Sequence, residues 1–293
     1  MKVIVTGSLG NVAKPLVQTL AQQGHDVTVI SSSPDKQAAI EAIGASAAIG
    51  VVNDVAFLEK TFQGAEAVFA MIPPNHATHD LRAYYRDVAG NYAQATRKAG
   101  VKHIVHLSSY GAHLDHGTGI ILGAHDAEQI LNTLNDITVT HLRPGYFATN
   151  LFAYVGMIKS AGFMASNHGD NDRILLVHPR DIAAAAAAAF NNRVPGRSIR
   201  YVVSEEHTCQ EIAQALGAAI GKPDLTWKTF PDEQVLQSLL GAGLPEHFAV
   251  NLVELGSAIH TGLLEEDYIH HKPFVGTTTL ADVAKEFAAV YHQ

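Results

Sequence analysis

The residues best placed to do chemistry stand at the start of the chain, in Val3-Ile4-Val5-Thr6-Gly7-Ser8-Leu9-Gly10-Asn11-Val12-Ala13. An apolar run ends in the spacing Gly7-x-x-Gly10-x-x-Ala13, and a helical pattern follows. That order is the strand, turn and helix of a dinucleotide-binding unit. Gly7 permits the tight turn, Gly10 lets backbone approach a pyrophosphate, and Ala13 keeps the helix close to the sheet. Helix amides then face the phosphates, where the macrodipole adds about 0.3–1 kcal/mol. Gly7, Ser8, Leu9, Gly10, Asn11 and Val12 form the first cofactor-binding set.

The second set is Ser31, Ser32, Ser33 and Lys36, in Ser31-Ser32-Ser33-Pro34-Asp35-Lys36 after the apolar run 27–30. An Asp or Glu at that point would bond the adenosine ribose and repel a 2′-phosphate. Three hydroxyls and a lysine suit the phosphate better, and a charge-assisted bond contributes about 1.5–3 kcal/mol. The pattern favours NADP(H), with NAD(H) as the alternative; the bland reading is a polar loop with Lys36 in solvent and Asp35 spoiling the field. Met71, Ile72 and Pro73 are expected along the nicotinamide side, unless Pro73-Pro74 simply ends a strand. Tyr146, Phe147 and Asn150 are candidate substrate-pocket residues, because aromatic walls suit a flat acceptor.

Positioning these residues requires alternating strands and helices. The pattern predicts strands at 27–30, 47–52, 67–72, 101–107 and 138–142, with helices at 35–43, 55–62, 79–98 and 124–134. Such alternation builds a parallel sheet with helices on both faces, whose ligands bind beyond the carboxyl ends of the strands. Gly7, Ser31, Met71 and Ser108 all fall at those ends. The second half is less regular. A strand at 174–177, an alanine-rich helix capped by Asp181 and a strand at 198–203 are expected, then helices at 209–220 and 232–240. The fold class is thus α/β: a Rossmann-type doubly wound sheet over residues 1–150, with 174–203 returning to it, and a smaller, mostly helical lobe within 151–293.

Composition narrows the partners. The chain has 293 residues, is 47% hydrophobic and 16% charged, and carries a net charge of −8 without a run of basic residues. A substantial core is therefore expected, and direct nucleic-acid binding is disfavoured. One cysteine, Cys209, excludes an intrachain disulfide. With no apolar stretch long enough for a membrane span and no signal-peptide pattern, a soluble cytoplasmic protein is expected. The histidines at His76-x-x-His79, His113-x-x-His116 and His270-His271 lack cysteine or carboxylate partners at zinc spacing, so no metal is expected.

The chain resembles the NmrA-like branch of the atypical short-chain dehydrogenase/reductases. The likeness rests on Val5-Thr6-Gly7-Ser8-Leu9-Gly10-Asn11, on Ala99-Gly100-Val101-Lys102-His103-Ile104-Val105-His106-Leu107-Ser108-Ser109, and on Leu142-Arg143-Pro144-Gly145-Tyr146-Phe147-Ala148-Thr149-Asn150. His178-Pro179-Arg180-Asp181-Ile182-Ala183 and Gln210-Glu211-Ile212-Ala213-Gln214-Ala215-Leu216 follow in similar positions. The family includes NAD(P)H-dependent quinone and dye reductases, aryl-ether reductases, and NAD(P)-sensing regulators that catalyse nothing. The resemblance implies that Ser108, Ser109 and Tyr110 lie where the superfamily places its catalytic serine.

Two departures bear on function. The acidic residue that commonly meets adenine in a Gly-Asp-x-x-Asp stretch is absent from Gly50-Val51-Val52-Asn53-Asp54, which leaves backbone and apolar contacts for the base. The superfamily's Tyr-x-x-x-Lys pair is absent as well, since no lysine lies between Lys102 and Lys159. The lysine position of some reductases in this branch falls near Ala124, beside His125. The literal match Tyr268-Ile269-His270-His271-Lys272 is read as chance, far outside the cofactor half. These features imply an NADPH-dependent reductase of quinones or similar flat, electron-poor acceptors, with His125 or Tyr110 returning a proton. The alternative is a non-catalytic redox sensor with a protein partner.

Overall fold

A computed structural model describes residues 1–75 and 78–293. The His76 end of the His76-x-x-His79 spacing therefore lies outside the described residues.

The first half alternates as expected. β1 (Lys2–Val5), α1 (Ala13–Gln22), β2 (Asp26–Ser31), α2 (Gln37–Glu41), β3 (Ser46–Ile49), α3 (Val55–Thr61), β4 (Ala67–Ala70), α4 (Leu81–Ala99), β5 (His103–Leu107), α5 (Leu122–Leu131) and β6 (Thr138–Pro144) follow in turn. Local chemistry sets the bounds. α1 buries Ala13, Leu16, Val17 and Leu20 at helical spacing and gives way to Gly24 at φ 80°. Asp80 caps α4 by accepting from the Ala83 amide at 2.8 Å, and Gly100 ends that helix in the left-handed conformation.

After β6 come β7 (Tyr146–Phe147), α6 (Val155–Ala161), β8 (Met164–Ser166), β9 (Arg173–Val177), α7 (Pro179–Asn191), β10 (Arg197–Val203), β11 (Glu205–Thr208) and α8 (Cys209–Ala219). β12 (Trp227–Thr229), α9 (Asp232–Gly241), α10 (Glu246–His260), α11 (Glu265–Tyr268), β13 (Phe274–Val275) and α12 (Leu280–Tyr291) complete the chain. Among the described residues the main sheet has eight parallel strands in the order β13-β10-β6-β5-β4-β1-β2-β3. α1 and α7 share one core with one face of this sheet, while α3, α4 and α5 cover the other. This is the expected doubly wound α/β fold.

The returning segment divides. α7 and β10 join the main sheet and its cover, whereas β9 pairs with β7 and, antiparallel, with β11 in a separate three-stranded sheet. β13, far along the chain, returns to the main sheet beside β10. A third core under α8 and α12, centred on Trp227, Phe287 and Leu216, builds the smaller lobe.

Asp181 does not cap α7. His178 holds the cap position and accepts from the Arg180 amide at 3.1 Å. The Asp181 carboxylate is buried inside the first turn, where it accepts from Ser204 Oγ at 2.6 Å and from the amides of Thr277 and Thr278. Burial raises its pKa, but these bonds outweigh burial and hold it below the usual carboxylate value. The carboxylate ties the end of β10 to the loop after β13, so a cap-like residue serves as a tertiary clasp.

Candidate active site

At the carboxyl end of β1 the chain makes the turn its glycines foretell. Gly7 has φ 95° and Ser8, a non-glycine, φ 55°. The Gly10 amide donates to the Gly7 carbonyl at 3.2 Å, and a Cβ on Gly10 would lie 3.2 Å from that oxygen. A Cβ on Gly7 would lie 3.0 Å from Met71 Sδ. No side chain caps the start of α1 at Val12. A backbone cradle that a Cβ would fill, opening onto an uncapped helix N-terminus, fits a dinucleotide pyrophosphate.

The serine cluster is divided in its duties. Ser31 is buried, hydrogen-bonded to Ser8 Oγ at 2.9 Å and to the Ser33 amide at 3.2 Å, so it braces the glycine turn against the end of β2. Ser32 and Lys36 are exposed, and Ser33 is half-buried. Near the expected adenine position, Gly50 is packed so closely by Phe57 that a Cβ there would lie 2.6 Å from the ring. Val51 beside it is 50% exposed. Asp54 is occupied in capping α3 through the Phe57 amide at 3.0 Å. The surfaces offered to a base are therefore apolar and backbone.

At the end of β4, Thr6 and two tyrosines of α4 hold the chain open. Thr6 Oγ1 donates to the carbonyls of Phe69 and Met71 and accepts from the Met71 amide at 2.7 Å. Tyr92 donates to the Met71 carbonyl at 2.7 Å, and Tyr84 to that of Pro73 at 2.9 Å. Ile72 is buried, while Met71 and Pro73 are half-buried. Leu9, Met71, Leu107 and Phe147, all partly exposed at strand ends, pack onto the core below. They form an apolar shelf at the carboxyl edge.

Ser108 does not face this shelf as an acid or donor would. Its hydroxyl donates to Glu128 Oε1 at 2.5 Å. Glu128 in turn takes Arg143 Nε at 3.0 Å and Nη2 at 2.7 Å, and Arg143 Nη1 reaches Asp267 of α11 at 2.8 Å. The Arg143 and Glu128 side chains are 4% and 3% exposed. Burial opposes the Arg143 charge, yet the Glu128 bonds prevail and raise its pKa. Ser109 donates to the Tyr110 carbonyl at 3.2 Å.

Tyr110 meets the rings of Tyr201 and Tyr268 edge-on at 6.4 and 6.2 Å. Burial, reinforced by the negative charge of Glu265, raises its phenol pKa and makes it a weaker acid. Tyr268, expected far from the cofactor half, is thus packed against it, because α11 folds back under the Arg143–Asp267 pair. Lys272, the other half of that literal match, is exposed. His125, on α5, is half-buried with Nδ1 3.0 Å from the Ala112 carbonyl. That partner assigns the proton of the neutral ring to Nδ1, leaving Nε2 as the free, accepting atom.

The candidate substrate residues separate. Strand alternation at β7 turns Phe147 toward the sheet core and Tyr146 toward the core of the smaller lobe. Burial raises the Tyr146 phenol pKa well above its usual value. Asn150 is exposed in a 3₁₀ turn spanning Ala148–Tyr154. Among the described residues no group of three or more potential ligands is gathered for a metal. Among the described residues no helix is long and apolar enough to cross a membrane.

Residue reading missed the supports. Thr6, Tyr84, Tyr92 and Glu128 contact the site loops from elements distant in sequence, and only the Thr6 hydroxyl beside Gly7 carried a local signal. A groove of about 530 Å³ runs between α1 and α7, but its lining, from Pro15 to Asn192, includes none of the residues above. It is a helix–helix seam away from the strand ends.

Residues 7–193 match the family described as NAD(P)H-binding. Over 222 residues, 75% of this chain and 74% of its relative, the sequence is 27% identical to a (4-alkanoyl-5-oxo-2,5-dihydrofuran-3-yl)methyl phosphate reductase of Streptomyces griseus. The triphenylmethane reductase of Citrobacter sp., solved with NADP(H), is 25% identical with a TM-score of 0.79, covering 97% of this chain and 99% of that one. An NADPH-dependent quinone oxidoreductase from Escherichia coli shares the fold, with a TM-score of 0.76 at 21% identity over 97% and 99% of the two chains.

Proposed function

Because the chain belongs to the NAD(P)H-binding family, we propose that it is an NADPH-dependent reductase of quinones or similarly flat, electron-poor small molecules. The observation that carries this reading is an apolar shelf without an engaged acid. Leu9, Met71, Leu107 and Phe147 line the strand ends, while Ser108 is committed to Glu128 and Tyr110 is half-buried and a weakened acid. An acceptor that needs a strong proton donor at the moment of reduction would be poorly served there. A quinone needs none at that moment. The ring named for the Streptomyces relative, an acylated unsaturated lactone, belongs to the same flat and electron-poor class.

When bound, the nicotinamide supplies the hydride. The chain's own residues position and shield. The Gly7–Val12 turn would hold the pyrophosphate through backbone, Ser32, Ser33 and Lys36 would meet the 2′-phosphate, and Val51 would cover the adenine. Met71, whose backbone is fixed by Thr6 and Tyr92, would pack beside the nicotinamide and exclude water from one side. After reduction the product oxyanion takes its proton from solvent, directly or by way of His125. Supporting NADP(H) over NAD(H) are the exposed Lys36, the missing acid at the end of β2, and the NADP(H) bound by the Citrobacter enzyme.

The direct test mixes NADPH-loaded protein with a panel of quinones and follows nicotinamide oxidation in a single turnover. Rapid oxidation that disappears in Gly10→Val is expected. Tight NADPH binding with no oxidation anywhere in the panel would overturn the reductase and favour a redox sensor.

A further inference from the structure

Ser8 holds a conformation that its residue type disfavours. At φ 55° it lies in the left-handed region, where a Cβ is strained and glycine is at ease. A strained residue in a ligand-binding turn points to a role for the group it carries. In Ser8 that group is a hydroxyl, half-buried just beyond the carboxyl end of β1.

The hydroxyl starts a chain of hydrogen bonds that leads away from the glycine turn. Ser8 Oγ meets Ser31 Oγ at 2.9 Å. Ser31 Oγ accepts from the Ser33 amide at 3.2 Å and donates to the Ser33 carbonyl at 3.3 Å. The same carbonyl accepts from the Lys36 amide at 3.2 Å, closing the 3₁₀ turn Pro34–Lys36. Four residues thus connect the pyrophosphate turn after β1 with the lysine beyond β2. The middle of the chain is firmly set. Ser31 is 2% exposed, its carbonyl takes the Gly50 amide at 2.9 Å, and the Ser8 amide donates to the Ile30 carbonyl at 3.1 Å.

Counting protons gives the chain a direction. A hydroxyl has one proton and two lone pairs. The Ser31 proton goes to the Ser33 carbonyl, so its oxygen accepts from both the Ser33 amide and Ser8. The Ser8 proton is therefore directed at Ser31, and none is left to donate to a phosphate. Ser8 acts on a cofactor through what it holds in place. Ser32 and Lys36 are exposed, so their placement rests on the backbone that carries them. A lysine on a free loop loses chain entropy when it captures a phosphate, whereas on a braced loop that loss is already made.

We propose that Ser8 is a positioning residue for cofactor choice. Its hydroxyl, through Ser31 and Ser33, holds the 2′-phosphate loop in register with the pyrophosphate turn and so carries part of the preference for NADP(H) over NAD(H). The inference rests on the NADP(H) reading above and deepens it by naming a determinant that does not touch the phosphate.

Fluorescence titration with NADPH and with NADH gives the ratio of their dissociation constants, which is the quantity the relay controls. Ser8→Gly and Ser8→Ala both remove the hydroxyl, and each should reduce the preference for NADPH about fivefold. They differ in strain. Glycine relieves the left-handed backbone and alanine does not, so Ser8→Gly should melt at a higher temperature than Ser8→Ala with the same loss of preference. A merely structural serine would lose preference in step with stability. Combined with Lys36→Met, Ser8→Gly should reduce the preference by less than the product of the two single losses, because both act on one phosphate. On the unmodified protein, NADPH should slow hydrogen exchange of the Ser8 and Ser33 amides more than NADH does. Equal protection by the two nucleotides overturns the relay whatever the folding of the variants, and a multiplicative loss with Lys36→Met overturns it as well. A wild-type preference for NADPH that survives intact in folded Ser8→Gly refutes the relay alone. Unmodified protein that binds both nucleotides equally refutes NADP(H) selection itself and takes the proposal with it.

Discussion

Acid should unfold this protein early, and the cause is a set of buried neutral histidines. His103, His106, His141 and His168 are all nearly inaccessible. Burial lowers their pKa values to about 4, 3, 3 and 4, with Arg193 adding to the effect at His103, and His141 and Arg143 adding to it at His106 and His141 respectively. His106 and His141 share an Nδ1–Nδ1 hydrogen bond of 3.0 Å, which only one proton can occupy. An unfolded imidazole titrates near 6.5. Below that value the unfolded chain takes up protons that the native state refuses, so stability is complete above about pH 6.5 and falls as the pH drops toward the folded values. Each such group costs about 0.8 kcal/mol at pH 6 and about 2 kcal/mol at pH 5. Four of them remove about 8 kcal/mol at pH 5, comparable with the whole stability of an ordinary domain. Carboxylates contribute little to this window, because they are ionised in both states until the pH falls further. Urea unfolding followed by circular dichroism at pH 7.5, 6 and 5 measures the loss. His103→Phe provides the internal control: both His103 nitrogens lack partners among the described residues, and the ring already lies edge-on to Phe190 at 5.5 Å. That variant should be more stable at every pH and lose about a quarter of the pH dependence. A stability constant within about 1 kcal/mol between pH 7.5 and pH 5 would refute the reasoning.

Three further outcomes follow from the site. Lys36→Glu should raise Kd for NADPH by roughly ten- to a hundredfold while changing that for NADH less than about threefold, as measured by nucleotide fluorescence titration. Arg143→Met strands the Glu128 carboxylate in the interior and should lower unfolding stability by about 3–5 kcal/mol, whereas the double change Arg143→Met with Glu128→Met should recover much of it. Tyr110→Phe should leave quinone turnover within about threefold, because the hydroxyl is too weak an acid to carry the proton; a larger loss in single-turnover kinetics would return Tyr110 to the mechanism.

Legibility followed the range over which each signal acts. The glycine turn was readable because its demands are local: a positive φ at Gly7 and a close backbone approach at Gly10. Strand and helix alternation was readable for the same reason, since burial on each face is written into successive residues. Ser108 was read by position as a site hydroxyl, yet its partner Glu128 lies on a helix twenty residues later, and nothing in the local sequence announces that bond. Asp181 looked like a cap because it stands near a helix start, but its partners Thr277 and Thr278 are almost a hundred residues away. Tyr268 and β13 were unreadable on the same ground. Both belong to a late segment brought back by tertiary contacts that leave no periodic trace.

The corner between β6 and β7 shows how one local rule can divide a site between two lobes. A Cβ on Gly145 would lie 2.1 Å from the Leu175 carbonyl oxygen, so only glycine lets the two strands come this close. That contact fixes the pairing of Tyr146 with Leu176 and of Phe147 with Val177. With the register set, period-two alternation leaves no choice about direction: Phe147 must join the sheet core beneath the shelf, and Tyr146 must join the lobe beside His168. A slip of one residue would exchange them, placing a phenol in the sheet core and removing the aromatic wall from the lobe. The two adjacent residues therefore pack in different cores, and the smaller lobe is held in step with the main sheet by backbone register.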